Sequence, residues 1–249
     1  MNKVAQVTIF FWLMKICATT LGETGGDLLS MTLELGYGIS SLILIAIFLI
    51  LLVVLIKSSR FNPVLFWTMI LITSTVGTTM SDYMNRTLEL GYATGSLILI
   101  TSLIAILIVW HLSEKTLSVN NIQTPRAELF YWAAILVTNT LGTSLGDYLA
   151  HDSGLGFLGG VALIGGLLGL VVLARYLTPL NPVLLFWIAV ILTRPFGATF
   201  GDLLTKSHED GGLDIGPVSS SAILACLLVG FVIYTSMTEK RVSPPQQNI

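Results

Sequence analysis

The sequence predicts an all-α, polytopic membrane protein: about eight transmembrane helices built from four parallel two-helix repeats, in two four-helix halves. Three observations carry that expectation. The 249 residues are 54% hydrophobic and 10% charged, with a mean hydropathy of +0.85, whereas soluble domains carry roughly 25% charged residues. The apolar residues fall into runs near the ~20 residues that a bilayer core demands of a helix. One motif also returns four times along the chain. A chain of this composition needs the lipid bilayer as its partner, which excludes soluble enzymes and secreted disulfide scaffolds. The net charge of −2 excludes a basic surface for nucleic acid. Cys17 and Cys226 stand singly in apolar runs and form neither a disulfide framework nor a metal pair.

The predicted spans are roughly 5–28, 38–56, 62–84, 93–111, 127–149, 155–177, 182–204 and 215–236. Loop chemistry separates them: Lys57-Ser58-Ser59-Arg60, the polar stretch Ser113–Arg126, and Thr178-Pro179 before Asn181-Pro182. The organisation follows as a first half (1–112), a cytoplasmic linker (113–126), a second half (127–238) and a disordered cytoplasmic tail (239–249). Lys3 followed by Val4 to Met14 has the outline of a secretory signal. Lys15 interrupts its apolar core, and the segment opens the first repeat, so it is read as a mature transmembrane helix. Lys3, Lys57, Arg60, Lys115, Arg126, Arg175, Lys240 and Arg241 fall on the side of the termini, against Arg86 and Lys206 on the other. That asymmetry predicts both termini in the cytoplasm.

The repeat is read from four tryptophans. Trp12, Trp67, Trp132 and Trp187 each follow an aromatic residue, at spacings of 55, 65 and 55 residues. Each leads to a glycine (Gly22, Gly77, Gly142, Gly197), a hydroxyl (Thr24, Thr79, Ser144, Thr199) and an aspartate (Asp27, Asp82, Asp147, Asp202) at fixed offsets. Asn62-Pro63-Val64 and Asn181-Pro182-Val183 recur in copies two and four, as expected of a duplicated half. Leu-Glu-Leu-Gly-Tyr recurs at 33–37 and 88–92, and copy four carries about five extra residues around His208, Glu209 and Asp210. Each copy holds two spans, so the motif helices run the same way across the membrane.

Within each copy the polar positions fall at i, i+3, i+4 and i+7, one face of a helix. Copy one places Thr20, Glu23, Thr24 and Asp27 there; copy two, Thr75, Thr78, Thr79 and Asp82; copy three, Thr140, Thr143, Ser144 and Asp147. Copy four keeps only Thr199 and Asp202. Gly22/Gly26, Gly77/Ser81, Gly142/Gly146 and Gly197/Gly201 form an adjacent small-xxx-small stripe, which lets helices approach closely in lipid. Fifteen residues from Trp to Asp is roughly 22 Å along a helix, about three-quarters of the way across the hydrocarbon core. Two readings follow: the aspartates cap helix ends at an interface, or they converge with Glu23 in a shared polar interior.

Two basic residues lie inside predicted spans. Lys15 and Arg194 each precede an acid by eight residues, Glu23 and Asp202 respectively. They read as charge-compensating partners, or as built-in competitors for a cation; Lys15 has the further option of snorkelling. Like charges crowded in low dielectric cannot all remain ionised without a cation. Carboxylates and hydroxyls with no nearby thiol favour a hard ion or a proton. The expected metal ligands are Asp27, Asp82, Asp147, Asp202 and Glu23, assisted by Thr24, Thr79, Ser144 and Thr199. No organic cofactor is indicated, and Mn, Mg or Ca is the candidate bound ion. The tryptophans read as interface anchors, His111 and His151 as interfacial or loop residues, and Gly154–Gly169 as a packing segment. No Walker A sequence, nucleophile elbow or His-Glu-x-x-His is present.

The glycine–hydroxyl–aspartate block, fullest in Thr19-Thr20-Leu21-Gly22-Glu23-Thr24-Gly25-Gly26-Asp27, resembles a family of uncharacterised bacterial integral membrane proteins described as membrane-anchored proteins. The resemblance spans nearly the whole chain and implies a bacterial inner-membrane location, without an activity. A looser similarity is to manganese/calcium exporters with paired Glu-x-Gly-Asp-Lys/Arg-Ser/Thr motifs; here Leu28 follows Asp27, and the repeats are parallel. The leading functional expectation is a transporter of small inorganic cations, with divalent manganese-like export as its specific form and no enzyme activity. The alternative is a membrane scaffold or sensor whose polar stripes only hold helices together.

Overall fold

A computed structural model describes residues 5–58, 61–119, 122 and 124–242, the last five by backbone alone. The described residues form eight long helices: α1 (Ile9–Asp27), α2 (Tyr37–Lys57), α3 (Pro63–Asp82), α4 (Tyr92–Glu114), α5 (Pro125–Asp147), α6 (Gly156–Leu177), α7 (Pro182–Thr205) and α8 (Pro217–Val242). Each motif helix starts on a side-chain cap. Thr8, Asn62, Thr124 and Asn181 accept the backbone N–H of Phe11, Leu65, Ala127 and Val183. Proline follows the cap in α3, α5 and α7, where its missing N–H costs nothing.

Six helices are long and apolar enough to cross a membrane among the described residues: α2, α3, α4, α6, α7 and α8. The other two, α1 and α5, carry Lys15, Glu23, Glu128, Asn139 and many hydroxyls. Those polar groups are buried against other helices, so their low hydropathy reports the interior of the bundle. The outer helices instead expose large apolar side chains such as Leu42, Ile50, Leu97, Ile104, Leu170 and Ile223. Apolar surface on that scale calls for lipid.

The four motif helices close a ring: α1 packs on α3, α3 on α5, α5 on α7, and α7 on α1. Around it α2 lies on α3, α4 on α5, α6 on α7, and α8 on α1. Each outer helix therefore leans on the motif helix of the next repeat, and contacts cross the 113–126 linker as they cross every other boundary.

Glycine sets the spacing. Gly77 faces Asn139, Gly142 faces Arg194, Gly197 faces Thr19 and Gly22 faces Ser74. Each partner stands three residues before the glycine of the next copy. One turn on, Gly26 meets Thr78, Gly146 meets Ala198, and Gly201 meets Glu23. The register advances in the same sense on both helices in these three pairs, and between α3 and α5 it runs from Thr73–Asn139 to Asn85–Ser144, so the ring helices are parallel.

The ring helices also share an ending. After Asp27, Asp82 and Asp147 the helix widens into one π turn, over Leu28–Thr32, Tyr83–Thr87 and Tyr148–Asp152. Bonds spanning five residues mark it: Leu33 N to Leu28 O (2.8 Å), Leu88 N to Tyr83 O (2.9 Å) and Ser153 N to Tyr148 O (3.0 Å). Copy four replaces the turn with its inserted loop, tied back by Leu213 N to Leu203 O (2.7 Å) and Asp214 N to Lys206 O (2.9 Å). Every copy then passes through two left-handed residues, Glu34/Gly36, Glu89/Gly91, Gly154/Gly156 and Asp214/Gly216. The Leu-Glu-Leu-Gly element is thus fourfold, with Leu213-Asp214-Ile215-Gly216 as its copy-four form.

Two sequence expectations shift. Helix α8 continues to Val242, beyond the 238 boundary; the tail from Ser243 lies outside the described residues, as do Lys3, Arg60 and the side chains of Lys240 and Arg241. Trp67, Trp132 and Trp187 are not interface anchors but buried. Neighbouring ring helices meet at this level, Phe11 on Trp67 (5.6 Å), Phe66 on Trp132 (5.7 Å) and Trp12 on Phe186 (5.7 Å), in an aromatic layer at one end of the ring, while Trp187 packs on Trp110 of α4 (5.7 Å).

Gly77 tests the ring packing. A Cβ there would sit 2.7 Å from the Asn139 carbonyl carbon and 2.9 Å from Thr140 N, both backbone. Gly77→Ala is expected to cost about 1–3 kcal/mol, read as a lower melting temperature in detergent. Gly25 has nothing within 4 Å of its Cβ position, so Gly25→Ala should be neutral or gain up to about 1 kcal/mol. Equal stability of Gly77→Ala and the parent would contradict this packing.

Candidate functional site

The ring interior is polar from its middle to its aspartate end. Arg194, fully buried on α7, reaches into the centre of the ring. Its Nη1 lies 3.1 Å from Glu23 Oε2 and donates to Thr19 O (3.1 Å). Its Nη2 donates to Ser74 O (3.0 Å), Thr78 Oγ1 (2.6 Å) and Thr143 Oγ1 (2.8 Å). The same two hydroxyls reach Glu23 Oε2, at 3.0 Å from Thr78 and 3.2 Å from Thr143. One guanidinium thus binds all four ring helices together. The arrangement works because Gly142 offers no side chain where the Arg194 stem passes.

One turn further on stand the four aspartates, each 1–5% exposed. They neither splay apart nor project into solvent. Two basic residues lie among them, each four residues after an aspartate of its own helix or turn. Arg86 places Nε 3.0 Å from Asp82 Oδ1 and Nη2 3.8 Å from Asp147 Oδ2. Lys206 places Nζ 3.2 Å from Asp202 Oδ1 and 2.8 Å from Asp27 Oδ2. Each cation therefore joins its own aspartate to that of the next repeat. Burial works against the Lys206 ammonium, but Asp202 and Asp27 outweigh it and hold its pKa above the ordinary lysine range. Arg86 is held in turn by Tyr92 (Nε to Oη, 2.9 Å) and Tyr37 (Nη1 to Oη, 3.3 Å), the tyrosines that close the two Leu-Glu-Leu-Gly-Tyr elements.

Several expectations change at this level. Arg86 and Lys206, counted from sequence as loop charges, are partners of the aspartates. Glu23, Asp27 and Asp82 each face an internal cation, as Asp202 faces Lys206 and Asp147, at 3.8 Å, faces Arg86. Lys15 does not pair with Glu23 and does not snorkel; it is fully buried, and its Nζ has no hydrogen-bond partner among the described residues. Nor do the repeated hydroxyls line the centre. Thr24 accepts from Ser221 of α8 (2.8 Å), and Ser144 accepts from Ser96 of α4 (2.9 Å) and Asn85 (3.0 Å). Thr79 and Thr199 donate to carbonyls of their own helices. Thr24 and Ser144 thus bond to the outer helices, while Thr78 and Thr143, one residue after Gly77 and Gly142, bond to Arg194.

Sequence reasoning passed over Arg86, Lys206, Thr78, Thr143 and His151 as site residues. A usable signal existed in the residue four after each aspartate, the i+4 partner on a helix face: Met31, Arg86, His151 and Lys206. Among the described residues one group could hold a metal ion. Asp147, His151 and Asp202 each bring a ligand atom within 4.8 Å of the others'.

The central pair predicts a non-additive mutant cycle. Breaking a buried ion pair by removing one partner costs about 3–5 kcal/mol. Arg194→Met should lower the melting temperature sharply, because Glu23 then keeps a charge with no cation beside it. Arg194→Met with Glu23→Gln should recover part of that loss. Losses that merely add would show that the two side chains act independently.

No curated protein and no solved structure matches the chain. A family model does match, described as Repeat of Unknown Function (DUF347), over residues 10–61, 65–116, 130–180 and 185–241. These four segments coincide with the four motif-helix and outer-helix pairs and cover most of the sequence. The chain therefore belongs to this family of repeat proteins of unknown function.

Proposed function

We propose that the protein is a membrane transporter of small inorganic cations. On this reading all eight helices cross a bacterial inner membrane together, with the aromatic end and both termini in the cytoplasm. Lys57, Lys115, Arg126 and Arg175, at or near helix ends on that side, support that orientation. One observation carries the reading: four buried aspartates from four parallel helices meet at the same depth, with neighbours sharing single basic residues. Ionisable groups are expensive inside a membrane and mark ion or proton pathways where they occur. An ion or proton arriving at the aspartate end would compete with Arg86 and Lys206 for carboxylates already gathered. The Glu23–Arg194 pair below them, and the aromatic layer beyond, would then act as the closed part of the route.

A second reading keeps its place for a specific reason. Arg86, Lys206 and Arg194 neutralise most of the carboxylates from within the chain, as a non-transporting scaffold or sensor would need. Flux separates the two. In proteoliposomes the parent should move cations, such as Mn2+ or protons, while Asp82→Asn and Asp147→Asn abolish the movement and remain folded. Unchanged flux in all four Asp→Asn variants would rule out transport through this ring.

A further inference from the structure

The residue four after each aspartate differs in every copy, and in two copies it bridges neighbouring repeats. Arg86 fills the junction of Asp82 with Asp147, and Lys206 fills that of Asp202 with Asp27. The junction of Asp147 with Asp202 lies between α5 and α7, and there the equivalent residue is His151. An imidazole brings a ligand where its counterparts bring a fixed charge. Its ligand nitrogen and one oxygen from each aspartate all lie within 4.8 Å of one another. Two bonds of about 2.0–2.2 Å to a metal between them fit that span.

Two further observations point to a ligand at this junction. Asp147 is 1% exposed, and among the described residues its Oδ2 has no hydrogen-bond partner; Arg86 Nη2, at 3.8 Å, is too distant to donate one. His151 is also held in place from two sides. It stacks on Tyr92 (ring centroids 6.2 Å, planes 18° apart) and meets Phe157 edge-on (5.5 Å). The tyrosine on which it stacks is the one that anchors Arg86.

We infer that Asp147, His151 and Asp202 form a binding site for one divalent transition-metal ion. A nitrogen donor selects Zn2+-like ions over Mg2+ and Ca2+, which take oxygen ligands almost alone. The site is specific to one junction, because Met31 stands at the fourth, between Asp27 and Asp82. It names the ion class for the transport reading and rests on that reading for its role, while its existence is tested separately.

The test is equilibrium dialysis of the purified full chain in detergent against ZnCl2, with MgCl2 as competitor. About one Zn2+ per chain should bind and resist excess Mg2+. His151 is exposed, so His151→Ala should keep the parent melting temperature in the absence of metal. It should weaken Zn2+ binding by about 100-fold, the upper range of what loss of a residue merely supporting a ligand costs. His208→Ala, in the copy-four loop, should leave binding intact. Absence of binding by the parent, or equal binding by His151→Ala, overturns the site. Zn2+ bound at His151 in a protein with no cation flux leaves the site standing and removes the transport reading. Flux without this binding does the reverse.

Discussion

Carboxylates gathered away from water must be neutralised by something within reach, and the bundle is organised around that requirement. Five acids lie in the ring interior, and the cations that face them come from different helices: Arg194 of α7 for Glu23 of α1, Lys206 for Asp27 and Asp202, Arg86 for Asp82 and Asp147. Each of the three cations reaches at least one acid on another ring helix. The charges therefore hold the ring closed and cannot be satisfied by any repeat alone. Such pairs contribute less to stability than their Coulomb energy suggests, since desolvation offsets much of it. Their larger effect is on arrangement, because a helix placed in the wrong order leaves a charge stranded.

The small-residue stripe is what makes those distances possible. In lipid there is no hydrophobic drive between helices, so close backbone approach and interhelical hydrogen bonds hold the bundle together. Gly142 makes room for the Arg194 stem, and Gly201 makes room for Glu23. Packing and electrostatics are therefore one device. Side chains at these glycines would separate the helices, and the charges with them.

Fourfold repetition also sets up departures from itself. The same position carries Met31, Arg86, His151 and Lys206, and another carries Thr19, Ser74, Asn139 and Arg194. A scaffold of like repeats presents equivalent places, and substitution at single copies turns them into an ion pair, a ligand or a central clamp. Copy four shows the structural side of this freedom. It gives up the π turn for a loop whose backbone, through Asp214 N to Lys206 O (2.9 Å), secures the residue that carries Lys206 to Asp27.

The sequence by itself determined the eight helices, the four copies and the parallel motif helices. Apolar run length, the recurring Asn-Pro-Val at 62–64 and 181–183 and a repeated Trp-to-Asp spacing are local signals that survive without coordinates. It also marked the buried acids and Arg194, because an ionisable residue inside an apolar run is conspicuous. Tertiary structure alone decided who faces whom. Arg86 and Lys206 looked like loop charges because the π turn and the inserted loop, which fold them back over the ring, leave no simple periodicity. Thr24 and Thr78 lie on adjoining parts of one helical face pattern, yet ring closure sends the first toward α8 and the second toward Arg194. The physical reason is that periodicity specifies a face, whereas the neighbour that covers it is chosen by helices 50 to 180 residues away in the chain.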